Sequence, residues 1–147
     1  MLGEQIQDDS CWVIKTHFPQ LYFPFPFDAG KIVCVTRHPI DVLPSFATLM
    51  WTQSHSLETK RPVNEYKVWD EFVKTQIPIF GEYHRRMIEQ AKTTPTFFLT
   101  YEQLINEPHK IITALFCFLL GVKTLKDTIV EAQISKINAI KHTDPKM

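Results

Sequence analysis

An almost unbroken β-prone run, Ile32-Val33-Cys34-Val35-Thr36, stands between Gly30 and the tripeptide Arg37-His38-Pro39. Successive side chains of a strand point to opposite faces, so a run that is apolar at nearly every position needs cover on both. A mainly parallel sheet flanked by helices supplies that cover. Thr96–Thr100 (Thr-Phe-Phe-Leu-Thr) repeats the signature after Pro95, and Cys11–Lys15 (Cys-Trp-Val-Ile-Lys) is a third β-prone run, ended by Thr16-His17-Phe18-Pro19. Helical patterns fall between and after these runs. The expectation is a three-layer α/β fold in one domain, since 147 residues suffice for one hydrophobic core but hardly for two.

The helices have readable ends. Asp41 is a candidate N-cap for Val42–Trp51, placing Pro44 in the first turn, where a missing N–H costs little. Glu65–Lys74 and Phe80–Lys92 read as two helices separated near Pro78. Pro108–Leu120 begins with proline and stops at Gly121, and Leu125–Ala139 is a last amphipathic segment. Ser54–Val63 is polar and aperiodic, which predicts a surface loop.

Ligands of open α/β sheets bind in the crevice at the carboxyl ends of the strands. Here those ends carry Lys15 and His17, then Arg37, then Tyr101 and Glu102. His17 can take a proton from a hydroxyl near neutral pH, and Lys15, two residues earlier in extended chain, can neutralise charge on a transferring group. The alternative is a surface histidine and a lysine at the sheet edge. Arg37 and Ser45, eight residues later on the following helix, suit a phosphate, to which a guanidinium donates two parallel hydrogen bonds. The alternative is an Arg37–Asp41 pair and a solvated serine. Tyr101 either meets a base or closes a core strand, and Glu102 reads as a capping or pairing residue rather than a catalytic one. The segment Phe18–Phe27 holds five aromatics and three prolines, so it is neither regular helix nor central strand. It either lines an apolar pocket or covers the sheet.

Other chemistries lack their motifs. No Cys/His spacing suits zinc, no Gly-x-Ser-x-Gly elbow is present, and four glycines make no phosphate loop. A formal net charge of zero argues against nucleic acid or an anionic membrane as partner. The longest apolar stretch, Ile111–Leu120, is too short to cross a bilayer, and no leader peptide is visible. Cys11, Cys34 and Cys117 all lie in apolar runs, so buried free thiols and a cytoplasmic location are expected.

Taken together, the segments resemble a known family. Lys15-Thr16-His17-Phe18-Pro19 is similar to the Lys-Thr-His-x-Pro segment of cytosolic-type sulfotransferases, which use 3′-phosphoadenosine 5′-phosphosulfate (PAPS) as donor. Val35 to Ser45, through Arg37-His38-Pro39-Ile40-Asp41-Val42, resembles that family's Arg-Asn-Pro-x-Asp-Val-x-x-Ser segment. Phe98 to Leu104, through Tyr101-Glu102, resembles its strand ending in Tyr-Glu-Asp-Leu, and Pro78–His84 echoes its Pro-x-x-Gly segment. The order agrees, and the likeness runs from about Cys11 to Val130.

The resemblance implies the nucleotide-hydrolase-like sulfotransferase fold and transfer of a sulfuryl group to a hydroxyl or amine of a small acceptor. It implies His17 as general base and Lys15 as the cation on the transferring group, with no metal required. Arg37 and Ser45 would hold the donor's 3′-phosphate, Tyr101 would contact its adenine, and Phe18 and Leu49 would wall the acceptor pocket. The family's Pro-Lys-Ser-Gly-Thr-Thr-Trp loop and its Arg-Lys-Gly-x-x-Gly segment have no counterpart in the sequence. Residues 11–147 therefore read as a partial domain behind a short segment 1–10, with the loop-bearing strand missing. An uncovered strand edge predicts self-association. A catalytically inactive relative, serving as a nucleotide-binding or interaction module, is the alternative function.

Overall fold

The structure is a computed structural model, which describes residues 13–15, 29–54, 56–60 and 62–141. Two of the three expected strands form with the boundaries read from the sequence: β1, Ile32–Thr36, and β2, Thr96–Thr100. They pair in parallel, Ile32 opposite Thr96 through Thr36 opposite Thr100. Val13–Lys15, the described part of the third run, lies outside helix and strand, so the sheet among the described residues has two strands.

Helices cover the pair on opposite faces. Cys34 is buried and meets Tyr83 of helix α2 (Trp69–Gln90), Sγ to Oη 3.0 Å. Phe97 points the other way and packs on Phe118 of α4 (Pro108–Leu120), ring centroids 5.5 Å apart. The cover is diagonal, because α2 shields β1 on one face and α4 shields β2 on the other. Val35 and Phe98, on the unshielded halves, are 53% and 48% exposed.

The first helix, α1, spans Pro39–Thr52, and its N-cap is His38 rather than Asp41. The residue before a proline is held in extended backbone, which suits an N-cap, and Pro39 opens the helix with φ already set. His38 Nδ1 accepts from the Ile40 amide at 3.3 Å. Asp41 falls in the first turn, favourable toward the helix dipole. Pro44 thus sits in the second turn and leaves the Ile40 carbonyl without an amide four residues on. Leu43 and Ala47 form the buried face of α1.

The break expected near Pro78 does not occur, and α2 runs through it. One backbone hydrogen bond is lost there, at a cost of about 3 kcal/mol. Tertiary contacts on both sides of the proline offset this cost. Phe72 lies against Phe46 (5.8 Å) and Trp51 (6.0 Å), and Tyr83 reaches β1 on the far side of the proline. The loop before α2 ends in a short 3-10 turn, Val63–Glu65, whose Val63 is buried.

At the other end, α4 stops where expected, at Gly121 in left-handed backbone (φ 68). Lys31 Nζ donates to the carbonyls of Phe118 and Leu119 at 2.7 and 2.8 Å, tying the approach to β1 to this C-terminus. The last helix, α5, is Ile129–Lys141 and not Leu125–Ala139. Asp127 has φ 61, and the Thr128 hydroxyl accepts from the Glu131 amide at 3.2 Å, so capping starts the helix four residues late. Leu125, in the turn, is buried with Ile134 of α5. Cys34 and Cys117 are free thiols, and Cys117 is only half-buried. Cys11 lies outside the described residues.

Candidate active site

Parallel pairing without offset brings residues 36 and 100 together, and the next two pairs continue the line by side chains. The Arg37 guanidinium lies over the Tyr101 ring, Cζ 4.6 Å from the centroid. One step on, the His38 amide donates to Glu102 Oε1 at 2.9 Å. The strand ends are therefore linked by three successive rungs: a ladder pair, a cation–π contact and a charge-assisted hydrogen bond.

Both partners on the β2 side are held by a short helix that the sequence reading did not include. This helix, α3 (Tyr101–Asn106), starts directly at the end of β2. Thr100 Oγ1 accepts from the Gln103 amide at 3.1 Å while Gln103 Oε1 accepts from the Thr100 amide at 2.9 Å. This reciprocal capping box is legible in the sequence as Thr-x-x-Gln.

The Glu102 carboxyl is held below the usual glutamate range. The His38 amide is the main cause, helped by a further backbone amide, the Thr100 side chain and the Arg37 charge. It is an anion at neutral pH, beside a cation. Arg37 and Tyr101 are exposed, and no ion pair joins Arg37 to Asp41, so the alternative pairing considered for Arg37 is not formed.

Of the remaining sequence-predicted residues, three lie among the described ones. Ser45 is exposed on α1, roughly 9 Å along the axis from Pro39 at 1.5 Å per residue. It faces away from the buried Leu43 and Ala47. Leu49, one turn further along the same side, is half-buried. Lys15 is exposed. His17 and Phe18 lie outside the described residues. An open cavity of about 610 Å³ borders α1, lined by Pro44 and Thr48, by Glu58, Thr59 and Lys60, and by Pro62, Val63 and Asn64. No group of three or more His, Cys, Asp or Glu among the described residues is gathered to hold a metal ion.

The sulfotransferase domain family model matches residues 4–142, nearly the whole chain. This chain belongs to the sulfotransferase family. No curated protein and no solved structure matches it. Membership gives a sulfotransferase-type function in general and agrees with the helices and small parallel sheet observed here. No helix among the described residues is long and apolar enough to cross a membrane.

Proposed function

We propose that this sulfotransferase-family chain binds PAPS and transfers its sulfuryl group to a hydroxyl or amine of a small acceptor. The observation that carries the reading is the exposed Arg37 guanidinium set over Tyr101 at the strand ends. A fixed, solvent-facing guanidinium is a bidentate partner for a phosphate, and the aromatic ring beside it suits the base of the same nucleotide. Arg37 would take the 3′-phosphate, with Ser45 reached by the same ligand further along α1. Tyr101 would contact the adenine.

The remaining roles follow from family likeness. His17 would accept the acceptor's proton, and Lys15 would offset charge on the transferring group. Phe18 and Leu49 would give the pocket an apolar wall, favouring a phenol- or sterol-like acceptor. Sulfuryl transfer, like phosphoryl transfer, depends on in-line positioning and charge stabilisation, and this scheme uses no metal.

Thermal unfolding with and without 3′-phosphoadenosine 5′-phosphate tests the binding half. At a hundred times the dissociation constant, the ligand should stabilise by about 2.7 kcal/mol, a shift of several degrees. Arg37→Ala should remove the shift. Radiolabelled sulfuryl transfer to phenolic acceptors, lost in His17→Ala, tests the catalytic half. Binding without transfer would favour the nucleotide-binding module, and an unshifted melt in a cooperatively folding chain would refute the reading.

A further inference from the structure

We infer that Glu102 is a positioning residue for anion capture by Arg37, acting through the His38 backbone amide. The inference rests on Arg37 being the phosphate-binding residue, and it assigns a role to a side chain that would not touch the ligand.

Beyond Thr36 the sheet ladder ends, and the chain must turn immediately into α1. Pro39 has no N–H, so the His38 amide is the last backbone donor before the helix that does not belong to it. That amide and the Arg37 carbonyl form one planar peptide unit. Fixing the His38 N–H therefore fixes the peptide plane at the base of the Arg37 side chain. Glu102 Oε1 does this at 2.9 Å, while the Tyr101 ring seats the guanidinium from the neighbouring position. Glu102 is itself immobilised, because it is the second residue of α3 and the capping box locks the start of that helix. The chain of restraint runs from Thr100 through Glu102 and His38 to Arg37. Its depressed pKa keeps Glu102 in the acceptor-only form that the contact needs.

The same carboxylate also carries a negative charge next to the proposed phosphate site. Its two effects on an anionic ligand have opposite sign: the contact orients Arg37, whereas the charge repels phosphate. Substitutions separate them. Glu102→Gln keeps an oxygen that can accept from His38 and removes the charge. Glu102→Ala removes both.

The experiment compares dissociation constants for 3′-phosphoadenosine 5′-phosphate and adenosine 5′-monophosphate, which differ by the 3′-phosphate alone. The constant for the monophosphate divided by that for 3′-phosphoadenosine 5′-phosphate reads the contribution of the Arg37 site and is insensitive to a general loosening of the fold. Glu102→Ala should lower the ratio by about tenfold, the loss of one oriented charge-assisted contact. Glu102→Gln should restore it to the wild-type value or exceed it. Where the alanine variant does not fold, Glu102→Asp, which withdraws the carboxylate by one methylene and keeps its charge, should show the same loss. A folded Glu102→Ala or Glu102→Asp protein with the wild-type ratio overturns the inference while leaving Arg37 in its role. A wild-type chain that does not distinguish the two nucleotides, and is unchanged by Arg37→Ala, removes the Arg37 reading and this inference with it.

Discussion

At the scale of single residues, the contact between Tyr83 and Cys34 shows how a core side chain can set a pH limit. Burial pushes the phenol well above its ordinary value of 10.0, and the hydrogen bond to Cys34 pushes it further. A raised folded-state pKa gives stability that is complete below pH 10 and is lost as pH rises toward the folded value. Tyr83→Phe should lower stability by about 1 kcal/mol at neutral pH and flatten the alkaline decline, as read by urea unfolding from pH 8 to 11. On the surface of the same helix, Glu82 accepts from both Arg85 and Arg86 at 2.7 Å, and these bonds bring its pKa down to about 2. Its contribution is present above the ordinary carboxylate range and disappears as pH falls toward 2. An NMR titration of the Glu82 carboxyl carbon should place its midpoint near that value, and Arg85→Ala should raise it. Arg37 and Tyr101 were legible as candidate site residues because each follows a strand in the sequence. The anchoring contact of Glu102 was not, because its partner is a backbone amide 64 residues away, and a backbone donor has no signature in sequence.

At the scale of elements, α2 carries two residues that oppose helix formation, Pro78 and Gly81, and still spans 22 residues. Its continuity is a tertiary effect, supplied by aromatic contacts before the proline and the reach to β1 after it. Gly81 has open space where a side chain would stand, since a Cβ there meets nothing within 4 Å. Gly81→Ala should therefore stabilise the protein by about 0.5–1 kcal/mol through reduced backbone freedom in the unfolded chain. A lower urea midpoint in that variant would show that the position needs glycine for a contact absent from the isolated chain. The opposite sign is expected at Gly121, whose φ of 68 suits glycine, so Gly121→Ala should lower stability by about 1 kcal/mol, read as a lower urea midpoint.

For the whole molecule, the diagonal cover of β1 and β2 leaves apolar surface on both faces of the sheet. Val33, Val35 and Phe98 are exposed, and among the described residues each strand is paired on one side only. Exposed apolar strand faces and open edges favour association between copies. Sedimentation velocity should show an apparent mass that rises with concentration, and Val35→Lys combined with Phe98→Lys should reduce the rise. A single monomeric species at every concentration would contradict this. Saturating 3′-phosphoadenosine 5′-phosphate should leave the association unchanged, because the proposed site at Arg37 lies at the strand ends and not on the faces.

The amino-acid order by itself determined both strands to the residue, the limits of α4 and the placing of polar chemistry at the carboxyl end of the sheet. These features depend on side-chain alternation, proline and glycine punctuation, and caps, all of which act within about four residues along the chain. Tertiary structure decided the rest. It set the parallel register that makes residues 36 to 38 meet 100 to 102 and carried α2 through Pro78. Each of these outcomes turns on a choice between local alternatives of similar free energy. Packing between residues far apart in sequence makes that choice, and such packing exists only once the chain has folded.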